Sequence, residues 1–259
     1  MLTKRLGLPH IQGAGSFITA LFIDALGSGL FWPFSLLYFH VIANLPLSVI
    51  GLVLAIATLI SLPMTPVTGI LVDRVGTQRI IVASQLLEVV GFLGYLFVRT
   101  VPVLLITALL VAIGIRMFWV AFPTLIAEIS PEGERDRWYG FISAAQNAGL
   151  GMGGLLAGVL IALGGNLGYQ VLVAVNALSF LVSAALLSRL RGIDRRGTQQ
   201  RQITETVGYR AILQDRPFLG IVVCNTAFIL CISTATSALP VYLIEALHMP
   251  AWIVGIAFT

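Results

Sequence analysis

Three ionisable side chains, Asp24, Glu88 and Arg116, stand well inside long apolar runs of this 259-residue chain. A charge at the centre of an apolar membrane helix costs roughly 2.5–3.5 kcal/mol, so such residues face a protein interior, pair with one another and mark ion or substrate paths. A carboxylic acid that is neutral when desolvated and ionised when paired can carry a proton. Counted from one common end of their runs, Asp24 and Glu88 lie about 12 Å deep and Arg116 about 15 Å, at ~1.5 Å per residue. The three are therefore expected to share a layer. Asp24 and Arg116 are read as a cavity pair, with Asp24 the proton carrier, and Glu88 is a third candidate for the same cavity, with a packing or interface role as its other reading. Gln146, Asn147, Ser28, Ser35, Asn225 and Thr226 add hydrogen-bonding capacity, and Phe31, Trp32, Phe118 and Trp119 add aromatic surface that suits a hydrophobic ligand better than a sugar. His10, His40 and His248 are isolated, and no metal or redox spacing is present. Cys224 and Cys231 are about 10 Å apart along one helix face, too far for a disulfide.

The elements that must position these groups are membrane helices. Hydrophobic residues are 58% of the chain and charged residues 10%, against about 25% charged in a soluble domain. Apolar runs long enough to span a bilayer fall at 16–39, 47–71, 80–98, 103–126, 139–163, 169–190 and 218–243, and an eighth starts at 251. Of the 15 Lys and Arg, all but Arg99 and Arg116 fall at the N-terminus or in the loops after the second, fourth and sixth runs. Positive loops stay inside, so the N-terminus is expected in the cytoplasm. The pI near 9.4 reflects this topology and does not indicate a nucleic-acid partner.

The loop after the second run reads Gly69-Ile70-Leu71-Val72-Asp73-Arg74-Val75-Gly76-Thr77-Gln78-Arg79. Gly69 is expected to allow close helix approach and Gly76 a tight turn. Asp73 can face the positive end of a nearby helix, and Glu128 is a candidate partner for Arg74 and Arg79. The segment resembles the Gly-x-x-x-Asp-Arg-x-Gly-x-basic-basic signature of the major facilitator superfamily, with Gln78 where a basic residue is usual. The resemblance implies an all-α polytopic fold in which spans one and four line a central cavity and span three is more peripheral. It also implies that Gly69, Asp73, Arg74, Gly76 and Arg79 latch two halves of a transporter in one conformation. Gly149, Gly151, Gly153, Gly154 and Gly158 are similar to the glycine-rich fifth span of antiporters in that family, although Met152-Gly153-Gly154 replaces its Gly-Pro step; helix packing is the other reading. The arginine that proton-coupled exporters carry early in span four falls near Ala108, so Arg116 does not inherit that role.

A weak internal repeat, Tyr38, Pro46 and Gly51 recurring as Tyr242, Pro250 and Gly255, matches the parallel repeats of transporter halves. The expected organisation is a six-helix bundle over 1–190, a cytoplasmic linker with an amphipathic helix over 191–216, and the first part of a second bundle over 217–259. The chain thus reads as a transporter lacking most of its second half. The expected function is proton-coupled efflux of small hydrophobic compounds across the plasma membrane by alternating access. The rival readings are an uptake or uniport carrier, or a fragment that does not transport alone. A seven-helix receptor conflicts with the charge topology, and a membrane enzyme lacks a catalytic cluster. The expected partners are the lipid bilayer, a small-molecule substrate, protons and the missing half or a second chain, with no cofactor.

Overall fold

The computed structural model describes residues 15–130, 133–190 and 215–247, together with Met249 and Ile253. The described residues are helical, without strands. Helix α1 (Gly15–Phe31) meets Pro33, which has no N–H to donate; the chain tightens into a 3-10 turn at Trp32–Phe34 and resumes as α2 (Ser35–Ala43). Asn44, with φ 54°, ends α2 in the left-handed region, one of the few places where Asn competes with Gly. Helices α3 (Leu47–Ser61) and α4 (Met64–Val75) meet at a bend of 45°, and Pro63 at the break explains the bend. Gly76, at φ 98°, turns the chain into α5 (Thr77–Tyr95). Helix α6 (Val101–Ile129) runs through Pro123 without ending. Helix α7 (Arg135–Ser188) is two legs joined at Gly165, whose φ of 52° and ψ of −127° break the helix. A Cβ at Gly168 would run into the Leu160 carbonyl oxygen, so the second leg folds back against the first. Helix α8 (Arg216–Val241) is capped by the Asp215 side chain, which accepts the Phe218 amide at 3.2 Å, and ends in a π turn at Tyr242–Ala246.

Among the described residues four helices are long and apolar enough to cross a membrane, or five if the bent α3–α4 pair is one span. Helix α5 is less apolar because it carries Ser84, Gln85 and Glu88, which are buried inside the bundle. Counted through the Gly165 break, the chain up to Leu190 makes six long passes. Helix α1 packs mainly along α7, α5 packs on both α6 and α7, and α3 packs on α6. The α1–α7 seam is backbone against backbone. A Cβ on Gly149 would stand 2.9 Å from the Phe22 carbonyl oxygen, and one on Gly153 would meet the Leu26 carbonyl and the Gly29 backbone. Small residues are what permit such an approach in a membrane. Gly151, Gly154 and Gly158 are buried in the same leg.

Two apolar clusters fill the bundle. One, around Phe31, Tyr38, Phe92, Tyr95 and Phe180, lies toward the end bearing Asn44 and Arg99. The other, around Phe17, Ile81, Phe122, Leu125 and Trp138, lies toward the end bearing Arg74, Arg79, Arg135 and Arg189. Along each pass the residues between the clusters include the polar ones: Asp24 on α1, Gln85 and Glu88 on α5, Arg116 on α6, and Gln146 and Asn147 on α7. The expected shared layer is thus the gap between two cores. Helix α8 lies outside the bundle, exposed along its length as far as Leu239 where described, and touches it at the 3-10 turn and α2. Cys224 and Cys231 are both exposed on it. The basic linker residues 191–214, and Pro250 and Gly255 of the repeat, lie outside the described residues. Tyr38 is 1% exposed and donates to the Tyr95 carbonyl at 2.9 Å, whereas Tyr242 is 55% exposed, so the two repeat tyrosines occupy different surroundings.

Candidate functional site

A cavity of about 250 Å³ opens in the polar layer, and Asp24 and Glu88 both line it. Helix α1 supplies Asp24, Ser28 and Trp32, α5 supplies Gln85 and Glu88, α6 supplies Phe118 and Trp119, and α7 supplies Gln146 and Asn147. Both carboxyl groups are buried, Asp24 at 8% and Glu88 at 4% exposure. Gly114 on α6 makes room for Glu88: a Cβ there would stand 2.5 Å from Glu88 Cγ. Glu88, a candidate for the cavity although the resemblance makes its span more peripheral, lines it, because α5 packs on both α6 and α7. Gln85, one turn before Glu88, lines the cavity together with Asp24, and its Oε1 has no partner among the described residues. Sequence reasoning missed Gln85; an amide three residues from a carboxylate in an apolar run is the signal that marks it. Ser35 bonds back to the Trp32 carbonyl at 2.9 Å, Phe31 belongs to the neighbouring aromatic cluster, and Asn225 and Thr226 are exposed on α8. None of these four lines the cavity.

Arg116 does not join Asp24. Its Nε donates to Ser61 Oγ on α3 at 2.9 Å, and it lines a different pocket between the bent α3–α4 pair and α6. The expected Asp24–Arg116 pair is therefore corrected to an Asp24–Glu88 pair. Depth along a helix was read correctly, but the direction around it was not. Ile115 and Trp119 stack one turn apart and wall both pockets, while Arg116, about 100° round the helix from Ile115, points to the α3 side.

The loop at the basic end is compact. Gly76 takes a positive φ, as its tight turn requires. Gly69 has open space where a Cβ would stand, so no described helix closely approaches it. Asp73, Arg74 and Arg79 are exposed. The loop is tied to the bundle by its neighbours. Thr77 Oγ1 donates to Glu128 Oε1 of α6 at 2.9 Å, and Gln78 Nε2 donates to the Leu187 carbonyl at the end of α7 at 2.8 Å. Glu128 had been considered for Arg74 and Arg79; its bond from Thr77 comes from the helix that follows the turn.

The family model described as Major Facilitator Superfamily matches residues 17–259. The chain belongs to the major facilitator superfamily. Relatives include an uncharacterized MFS-type transporter, YttB, of Bacillus subtilis strain 168, 23% identical over 213 residues, or 82% of this chain and 52% of that protein. The class E tetracycline resistance protein of Escherichia coli is 28% identical over 173 residues, 66% of this chain and 42% of the relative. The quinolone resistance protein NorA of Staphylococcus aureus is 26% identical over 167 residues, 64% and 43% respectively. This chain spans about half the length of the curated relatives it matches.

Membership of the superfamily makes the protein a multi-pass membrane protein of a transporter family, and the apolar helices fit a lipid bilayer around it. In this superfamily member the carboxyl cavity is walled by α1 and α6, the spans that the resemblance assigned to a central cavity, and by α5 and α7 as well.

Proposed function

We propose that this chain forms the proton- and substrate-handling bundle of a secondary transporter that exports small hydrophobic compounds by alternating access. The observation that carries the reading is the placement of two buried carboxyl groups, Asp24 and Glu88, in one aromatic-walled cavity in the gap between two apolar cores. Two negative charges side by side in a medium of low dielectric repel, so the pair is suited to take up and release protons. Trp32, Phe118 and Trp119 offer apolar contact to a substrate in the same space. Two relatives are a tetracycline and a quinolone resistance protein, which supports export of such compounds over uptake. The Arg-bearing end is assigned to the cytoplasm by the positive-inside rule, in a plasma membrane. Gly69, Asp73, Arg74, Gly76 and Arg79 act there as the latch against a second bundle, which is the partner the mechanism needs.

The test uses inside-out vesicles from cells expressing the protein, loaded by an imposed proton gradient and followed with a lipophilic fluorescent dye. Dye accumulation coupled to proton release is expected, and Asp24→Asn should abolish the coupling while the protein is still made. Full proton-coupled activity in Asp24→Asn would sink the assignment, and dye movement without proton movement would favour the uniport reading.

A further inference from the structure

The pocket beside Arg116 has a chemistry of its own. It encloses about 340 Å³ between α3, α4 and α6 and is lined by Thr58, Ser61, Thr65, Arg116 and Trp119. Neither Asp24 nor Glu88 reaches it. The Ser61 hydroxyl donates to the Thr58 carbonyl at 2.7 Å and accepts from Arg116 Nε. Among the described residues that bond is the arginine's only hydrogen bond. Arg116 lines the pocket, and its two terminal NH2 groups, four N–H donors in all, make no hydrogen bond among the described residues. A guanidinium in this layer is costly without a counter-charge, and here its planar fork suits a carboxylate, which it can hold by two parallel bonds.

Two further features shape the pocket. The bend at Pro63 places the start of the twelve-residue helix α4 at this pocket, with Thr65 in its first turn. Trp119, 53% exposed, stands three residues after Arg116 and lines the same pocket, giving an apolar face beside the charge. The volume suits a small organic molecule, whereas a single acidic side chain would leave most of it empty.

We propose that this pocket is an anion subsite that binds the carboxylate of an amphipathic aromatic acid, with Arg116 gripping the carboxylate and Trp119 covering the ring. The proposal names a substrate class for the transport reading and rests on that reading for its purpose. The carboxyl cavity on the other side of the Ile115–Trp119 wall then handles protons and apolar substrate surface, while this pocket holds the ligand's charge.

The test is equilibrium binding to the full chain in lipid nanodiscs, with empty nanodiscs subtracted, using 2-naphthoate and its neutral isostere 2-naphthamide. The wild type should prefer the carboxylate by about tenfold or more, the range that charge-assisted hydrogen bonds supply. Arg116→Gln should bring the two ligands level, and Arg116→Lys should keep part of the preference. Equal binding of both ligands by the wild type overturns the proposal, and it does so even if Arg116→Gln fails to fold. A preference that persists in folded Arg116→Gln overturns it too. Binding needs no proton gradient, so failure of the carboxylate preference and failure of the Asp24 coupling in vesicles are separate results.

Discussion

Gly153→Ala is the sharpest probe of how this bundle is held together. The added methyl would run into the Leu26 carbonyl oxygen and lie 2.9 Å from both the Cα and the carbonyl carbon of Gly29. Ordinary carbon contacts are near ~3.5–4.0 Å, so α1 and α7 must move apart locally by roughly an ångström. The obstructing atoms are backbone, so no rotamer change relieves the clash. Overpacking of this kind costs typically ~1–3 kcal/mol. The upper half of that range applies, because separating the seam also loosens Gly149 against Phe22 and Ala25. Gly51→Ala is the control. It lies within α3, and nothing comes within 4 Å of the place its Cβ would occupy. Ala is favoured over Gly by ~1 kcal/mol in a helix interior, so Gly51→Ala should be neutral or stabilising. Thermal unfolding of the two variants and the wild type in one detergent should separate them clearly. A Gly153→Ala protein as stable as wild type, or a Gly51→Ala protein equally weakened, would refute the close seam.

Two further substitutions read single hydrogen bonds. Gln78→Leu removes the donor to the Leu187 carbonyl and should cost ~1 kcal/mol in the same unfolding assay, whereas Gln78→Lys should hold wild-type stability, since a cation beside a helix C-terminus is worth ~0.3–1 kcal/mol. Tyr38→Phe deletes the bond to Tyr95, but that carbonyl keeps the Val98 amide at 3.2 Å, so the loss should fall at the low end of ~0.5–1.5 kcal/mol and a larger one would show that the hydroxyl does more than cap.

Much of this architecture was legible because membrane helices announce themselves by length and apolarity. The spans, the Gly76 turn and the depth of Asp24, Glu88 and Arg116 could all be counted along the chain. Which side chains meet could not. An error of one residue in the choice of face turns a helix by about 100°, enough to move Arg116 from the Asp24 side of α6 to the Ser61 side. Nothing in an apolar run flanked by apolar runs fixes that rotation. Here it is set by the glycines: Gly114 draws Glu88 against α6, and Gly149 and Gly153 set α1 against α7. Gly69 shows the converse limit, since a glycine in a motif gives no sign of whether a helix lies beside it.

Gln78 refines the account of the loop. A basic residue at that position would be read from sequence as part of a charged latch. In this chain an amide occupies it and bonds to the last turn of α7, and Thr77 beside it bonds to α6. The loop is therefore fixed to its own bundle by two neutral side chains, and the exposed Asp73, Arg74 and Arg79 remain at the surface of the same end. If the latch proposed above is right, Thr77 and Gln78 keep the turn in place whatever a second bundle does, and Arg74 and Arg79 offer charge that such a bundle can engage or release. A latch built this way can open without unfolding its support. The proposed alternating access demands that property, because a charge contact that breaks in every cycle cannot also be the contact that holds α5 to α6 and α7.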